Sequence, residues 1–286
     1  MEVQRKSNIS YEEFMEEHHN PGIPVVFTNA SQVWRANGLF TPDWFRTHYP
    51  DKKGHVRNKE TGEFYTMTEI MDLVEGSTVE NPAPYPLLFN IPVHLPELMD
   101  LITPLNLNYA KPNWLEDKLF KRGYWGSAIE LFVGGPGGKF PYVHKDYYHM
   151  SAWINQLYGE KRFTVFPRGQ EEFLYVTEKN QWQSEVNIFE PDYEKHPKFK
   201  YATPISFTVG PGETLYIPFG LWHSAYSLTP TISVAFDQLN GKNFRSFAND
   251  VWHFNKGKGK VKAGLTYAYA MAAGLKCNMK DRMAKV

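Results

Sequence analysis

The chain has 286 residues, of which 42% are apolar and 16% aromatic, and its 31 Lys and Arg balance 31 Asp and Glu. With a formal charge of zero, nothing global argues for nucleic acid or an anionic membrane surface as the partner, which leaves only a local basic patch for that role. The single cysteine, Cys277, excludes an internal disulfide and a cysteine-based structural zinc site.

Met1 to Ser10 is polar, with no apolar core of a secretory signal, and no run is long enough to span a bilayer. The expectation is a cytoplasmic protein, with the nucleus also compatible. Ser10 to His19 predicts a short helix capped by Ser10, and Pro21, Gly22 and Pro24 end it. Ile23–Thr28 predicts a strand. Further helices are expected over Thr41–His48, with Pro42 at the first position, over Met67–Glu75, and over Pro96–Leu101. From Tyr124 the segments become short, aromatic or β-branched, and punctuated by Gly and Pro. Strands are expected at Ser127–Val133, Met150–Leu157, Lys161–Phe166, Ile205–Val209, Thr214–Ile217 and Thr231–Phe236, in a sandwich or barrel. Met150–Leu157 and Lys161–Phe166, joined by Tyr158-Gly159-Glu160, read as a hairpin. Tyr175–Lys200, which mixes aromatics and charges, is expected to be a lid over the barrel mouth or a surface insertion. Lys256–Lys262 (KGKGKVK) reads as a solvated loop. Phe244 to Val286 is expected to be helical, most clearly over Ala263–Leu275. The organisation expected is therefore an N-terminal helical and strand region (1–123), a barrel core (124–240) and a C-terminal helical extension (241–286).

His144-Lys145-Asp146 is the strongest local feature. In a strand, residues i and i+2 share a face, so His144 and Asp146 can offer an imidazole and a carboxylate to one metal. His149, His196, His223 and His253 compete as the third ligand. Context favours His223, which follows Pro211-Gly212-Glu213, a strand ending at Pro218 and a tight Phe219-Gly220 turn. Two His and one carboxylate form the facial triad of non-haem Fe(II) oxygenases, which leaves positions open for a co-substrate and O2. A bare His-x-Asp also recurs as a surface His beside a turn Asp. Lys161 shares a strand face with Phe163 and Val165. An ammonium entering an apolar interior is costly unless it meets an anion, such as a dicarboxylate; the alternative is a strand-end lysine that reaches solvent.

The order is His-x-Asp, Ser-Ala-Trp, Gly-Glu-Lys-Arg, an apolar strand ending in Phe-Pro, Pro-Gly-Glu-Thr-Leu-Tyr-Ile-Pro, Trp-His, and Thr-Ile-Ser-Val-Ala-Phe. This resembles the jumonji-C family of 2-oxoglutarate oxygenases, closely from Leu131 to Leu239 and more loosely before that. The resemblance implies a mainly β fold with helical additions: a double-stranded β-helix (jelly-roll, cupin) barrel flanked by N- and C-terminal helices. It implies Fe(II) held by His144, Asp146 and His223, 2-oxoglutarate as co-substrate with Lys161 on its distal carboxylate, and O2. Where a family subgroup has Asn seven residues before that Lys, this chain has Ile154, and the adjacent Asn155 becomes the candidate contact. Pro141 stands where a Ser or Thr is frequent, and Ser233 is the candidate contact from the last strand. Asp rather than Glu after the first His, the absence of zinc-binding reader modules and the length favour a hydroxylase over a demethylase. The implied substrate is an amino-acid side chain in a protein or peptide, or a free amino acid; a tRNA base is an alternative. Outside 2-oxoglutarate chemistry, the competing reading is a metal-binding cupin in which Lys161 is a bystander. A non-catalytic binding module would show a broken triad. In such relatives the C-terminal helices often make dimers, for which Trp252, Tyr267 and Tyr269 are the homodimer interface candidates here, or else core.

Overall fold

The computed structural model describes residues 2–56, 64–105, 109–123, 125–126, 128–140 and 142–284. Tyr124 and Ser127, where the sequence reading begins the β-rich region and its first strand, lie outside them, as does Pro141.

The described strands are β1 (Gln4–Lys6), β2 (Val25–Phe27), β3 (Lys53–Val56), β4 (Phe64–Thr66), β5 (Leu87–Asn90), β6 (Ile129–Gly134), β7 (Ser151–Tyr158), β8 (Lys161–Phe166), β9 (Ile205–Val209), β10 (Thr214–Ile217), β11 (Trp222–Ser227) and β12 (Thr231–Gln238). They form a large sheet in the order β1-β2-β10-β7-β12-β6-β5-β3-β4 and a small one, β11-β8-β9. Apart from the parallel β1–β2 pair the ladders are antiparallel. The result is the cupin architecture expected from the motifs, mainly β with helices at both ends. Its two sheets face each other, but among the described residues no ladder closes them into a continuous barrel.

Alternation along the central strands sets the layers. Ile129, Leu131 and Val133 of β6, Trp153 and Leu157 of β7, and Ile232, Val234 and Phe236 of β12 join one large core. That core also takes Phe14 of α1 (Tyr11–Phe14), Phe45 of α2 (Pro42–His48) and Ile70, Met71 and Val74 of α3 (Met67–Glu75). The N-terminal helices thus cover the outer face of the large sheet. Intervening residues of the same strands face the small sheet, where Ala152, Phe163, Val165, Leu215, Ile217 and Ala225 form the inter-sheet core.

Several expectations change in detail. The N-terminal helix starts at its Ser10 cap but widens into a π-helical turn over Met15–His19, which buries both His18 and His19. Pro96–Leu101 is a 3-10 helix rather than the α-helix expected. The solvated loop expected at Lys256–Lys262 is a 3-10 turn over Lys256–Lys258, and α7 (Lys260–Ala284) begins directly after Gly259. Lysines are good helix formers on an exposed face, so their charge does not exclude a helix. Before it lies α6 (Phe244–Asn255). Strand β11 was not legible as a strand in the sequence.

The largest correction concerns β7 and β8, which do not form a hairpin. β7 pairs with β10 and β12 in the large sheet, and β8 with β9 and β11 in the small one. Their connection therefore crosses from sheet to sheet. Gly159 makes the crossing at φ +68°, and a Cβ there would lie 1.8 Å from the Pro230 carbonyl oxygen. Next to it, the Glu160 N–H donates to Thr229 Oγ1 (2.9 Å) and the Leu228 N–H to the Glu160 carbonyl (2.9 Å). Gly159→Ala is expected to destabilise the fold by more than about 2 kcal/mol, because strain and overlap with rigid backbone add. Urea denaturation measures this, and a loss under about 0.5 kcal/mol, the size of a neutral surface substitution, would contradict it.

Candidate active site

The segment carrying His144 runs antiparallel to β11 as an irregular edge. The His144 N–H donates to the His223 carbonyl (2.9 Å) and the His223 N–H to the His144 carbonyl (2.8 Å). The strand assumed for His144-Lys145-Asp146 is reduced to isolated bridges at His144, to His223 and to Gln183, after which Asp146 is extended (φ −62°, ψ 140°) and leads into a turn over Tyr147–His149. The two side chains converge through the bend rather than through strand periodicity. One ligand atom each from His144, Asp146 and His223 lies within 4.8 Å of the others, the one such group of His, Cys, Asp and Glu among the described residues. His223 Nε2 is 3.9 Å from Asp146 Oδ1, and the two imidazole centroids are 4.4 Å apart. His223 Nδ1 lies 3.0 Å from the Leu221 carbonyl oxygen. That contact requires the proton on Nδ1 and turns the Nε2 lone pair toward Asp146, the tautomer a metal ligand needs. Cis ligands with bonds of about 2.1 Å sit about 3 Å apart on an octahedron, so small contractions bring this set onto an ion. The other histidines go elsewhere. His149 pairs with Asp250, His196 packs on Tyr175, and His253 packs on Trp182.

These three residues open into a cavity of about 870 Å³ between the sheets. At its inner end Lys161 is 2% exposed and its Nζ donates to Ser233 Oγ (3.0 Å), which donates to Gln156 Oε1 (2.7 Å). The rings of Tyr85 and Phe132 flank the ammonium at 5.6 and 5.8 Å. Among the described residues no carboxylate is bonded to it, and burial lowers its pKa to about 7. Lys161, Ser233 and the three His/Asp residues therefore share one chamber. Asn155 does not. It accepts from Thr214 Oγ1 (2.8 Å) and donates to the Val234 carbonyl (3.2 Å) on the opposite side of β7 from Ala152 and Ile154. Adjacent strand residues point to opposite faces, so a neighbour of Ile154 cannot substitute for it. Gln156, two residues on, has the right parity and joins the Lys161 chain; counting by two would have found it. Tyr85 lies in a Pro84-Tyr85-Pro86 loop that carries no signal of its role.

The segment expected to be a lid or an insertion packs as part of the wall. Leu174, Val186 and Phe199 share a small core with Val143, Phe166 and Trp222. The Lys145 N–H donates to the Trp182 carbonyl (3.1 Å) and the Ser184 N–H to the Val143 carbonyl (2.7 Å). Trp182 and Gln183 thereby form part of the cavity lining beside His144.

Residues 11–237 match the model of the cupin-like domain family, in agreement with the jumonji-C resemblance of the motifs. Similar proteins include the mouse (Mus musculus) 2-oxoglutarate and iron-dependent oxygenase JMJD4, 31% identical over 283 residues, covering 88% of this chain and 62% of that protein. The Caenorhabditis elegans bifunctional arginine demethylase and lysyl-hydroxylase psr-1 is 26% identical over 250 residues, covering 83% and 60%. The Arabidopsis thaliana lysine-specific demethylase JMJ21 is 26% identical over 273 residues, covering 92% and 28%. The chain spans less than two thirds of the length of each of these relatives.

The buried ammonium has a consequence for stability. Its folded pKa of about 7 lies below the ordinary 10.5, so between those values the unfolded chain binds more protons and stability rises with pH. Below pH 7 the full cost of burying the charge is present. Lys161→Met is therefore expected to stabilise the protein, by roughly 1–4 kcal/mol at pH 6 and by progressively less toward pH 10. Denaturation at pH 6, 8 and 9.5 reads the trend; an unchanged or lowered stability at pH 6 would mean the ammonium is not desolvated.

Proposed function

The chain belongs to the cupin-like domain family, and on that premise we propose that it is an Fe(II)- and 2-oxoglutarate-dependent dioxygenase that hydroxylates an amino-acid side chain of a protein or peptide. One observation carries the reading: a two-His, one-carboxylate set opens into the same chamber whose inner end holds a desolvated ammonium. The donor types suit Fe(II), with one face of the coordination sphere left for co-substrate and O2. In this reading His144, Asp146 and His223 hold the metal. Lys161, steadied by Ser233 and Gln156, pairs with the distal carboxylate of 2-oxoglutarate, which supplies the counter-ion the buried ammonium lacks among the described residues. When bound, the metal supplies O2 activation coupled to conversion of 2-oxoglutarate to succinate and CO2. Phe132, Ile154, Phe163 and Tyr85 keep water from the reacting centre. A metal-binding cupin without 2-oxoglutarate would leave the Lys161 charge unexplained.

Toward the opening, the strand faces carry Ala235, Glu130 and Asp237, with Glu130 opposite Ala235 and Asp237 opposite Ala152. The alanines leave space, the two carboxylates remain in the lining, and Trp125, Tyr142 and Tyr148 supply aromatic walls. That chemistry suits a Lys or Arg side chain, as do the names of the psr-1 and JMJ21 relatives. Those names also favour a second reading, demethylation, in which the oxidised carbon is an N-methyl group and the hydroxylated product loses it. His-x-Asp and the family resemblance of the motifs favour the stable hydroxyl product. No helix among the described residues is long and apolar enough to cross a membrane, and cytoplasmic location is part of the proposal.

Anaerobic addition of Fe(II) and 2-oxoglutarate is expected to produce a visible metal-to-ligand charge-transfer band. The band is expected to be lost in His144→Ala and weakened at least tenfold in apparent co-substrate affinity in Lys161→Ala. Bound metal without a band in the wild type would sink the 2-oxoglutarate reading. Mass spectrometry of peptides with a central Lys, Arg or N-methylated residue then separates the two product types, as a gained oxygen or a lost methylene.

Pairing of two copies through the C-terminal helices is also part of the reading. Val261, Leu265, Leu275, Met279 and Met283 of α7 are exposed on one stripe, whereas Tyr267 packs into the local core and the Tyr269 hydroxyl donates to the Leu119 carbonyl (2.7 Å). Sedimentation is expected to give a dimer in the wild type and a monomer in Leu265→Glu/Met279→Glu; a monomeric wild type would discard it.

A further inference from the structure

The turn that follows Asp146 has a conformation that its own residues disfavour. Tyr148 has φ +60° and ψ +19°, and His149 has φ +48°. Two successive side-chain-bearing residues in the left-handed region persist only where the surroundings over-determine them. Here the surroundings are α6. Asp250, 5% exposed in the middle of that helix, lies with Oδ2 2.6 Å from His149 Nδ1. Asn243, 1% exposed, just before the helix, donates through Nδ2 to the His149 carbonyl (2.9 Å) and to the Gln238 carbonyl (3.0 Å) at the end of β12. The Tyr148 ring packs on Phe247 (5.6 Å) and Phe254 (5.0 Å), both from α6. From the other side, the position of a Gly220 Cβ would be 3.4 Å from His149 Cδ2, so this imidazole also abuts the turn that leads into His223.

We propose that α6, which lies beyond the residues matched by the cupin-like domain, is part of the metal centre: Asp250 and Asn243 hold the Tyr148–His149 turn in its left-handed form and so fix the carboxylate of Asp146. Asp250 and His149 are positioning residues. They touch neither metal nor substrate but set the backbone from which Asp146 projects. The chain needs such a device because, among the described residues, Asp146 has no strand partner of its own. His144 is fixed by its bridge to His223, and beyond it the next backbone bond is the one from the Lys145 N–H to the Trp182 carbonyl. Without the His149–Asp250 pair the two left-handed residues relax toward ordinary φ values. The ligand two positions upstream of the first of them then loses its direction. The proposal rests on Asp146 being a metal ligand.

Co(II), which reports its coordination through its visible absorption, is the probe. Full-length wild type, Asp146→Ala, Asp250→Ala and His149→Gly are titrated with Co(II), with circular dichroism as the check on folding. Asp250→Ala is expected to bind Co(II) about 10- to 100-fold more weakly, the range seen when an outer partner of a metal ligand is removed, with an absorption envelope shifted toward that of Asp146→Ala. Adding Asp250→Ala to Asp146→Ala is expected to change affinity less than about twofold, since its effect runs through that one carboxylate. In His149→Gly the strain at position 149 is gone, because glycine accepts positive φ freely, and Asp250 has lost its imidazole partner. There too, Asp250→Ala is expected to add less than about twofold. Asp250→Asn, isosteric and lacking only the charge, carries the same test with a loss of about threefold or more should the alanine variant not fold. Wild-type affinity and spectrum in a folded Asp250→Ala, or a further full loss on top of Asp146→Ala, would overturn the proposal. Absence of Co(II) binding by the wild type would instead remove the metal reading itself, and the inference with it.

Discussion

Two backbone hydrogen bonds between His144 and His223 hold the candidate centre together. They join an irregular segment at the edge of the small sheet to β11, and they set the two imidazoles 4.4 Å apart. Side-chain bonds could not do this alone, since imidazoles that are to face a metal must leave one nitrogen of each ring free of protein donors. The backbone carries the geometry, and the His223 Nδ1 contact to Leu221 carries the tautomer. Everything else in the pocket is arranged relative to that bridge: the wall residues Trp182 and Gln183 attach to the same segment, and Asp146 leaves it by a bend.

A second constraint follows from the inter-sheet chamber. A polar chain of Lys161, Ser233 and Gln156 is enclosed by Phe132, Tyr85 and Phe163. Such a chain weakens a core that would pack better with apolar side chains. The protein tolerates it because the outer face of the large sheet is covered by a separate, continuous aromatic and aliphatic core. The larger apolar core thus lies on one side of the sheet and the candidate site on the other, with strand alternation as the divider. The crossover at Gly159 belongs to the same arrangement, since it delivers Lys161 into the small sheet directly opposite Ser233 in the large one.

The C-terminal helices extend this logic beyond the matched domain. α6 buries Phe244, Phe247 and Val251 against Trp114, Phe120 and α7, and it directs Asp250 at the turn behind Asp146. A helix anchored by its own apolar face can hold a strained turn that the turn's own sequence would not maintain.

Some of this was legible without coordinates. The two histidines and the aspartate of the candidate site, the lysine and their order stood in the sequence because short-range chemistry writes itself in residue types: His-x-Asp, a lysine in an apolar strand, Pro and Gly at turns. Strand limits such as Lys161–Phe166, Ile205–Val209 and Thr214–Ile217 followed from the same local signals. Asn155 misled because a chemical label was followed against strand parity, which pointed to Gln156. What the sequence determined by itself was therefore the set of candidate groups and the local period of each element. Which strand pairs with which was decided only in the folded chain. The sheet crossing at Gly159, β11, the Tyr85 wall and the Asp250–His149 contact all depend on segments distant in sequence meeting in space. Such meetings are set by packing and backbone hydrogen bonding across the whole molecule, and no window of sequence contains them.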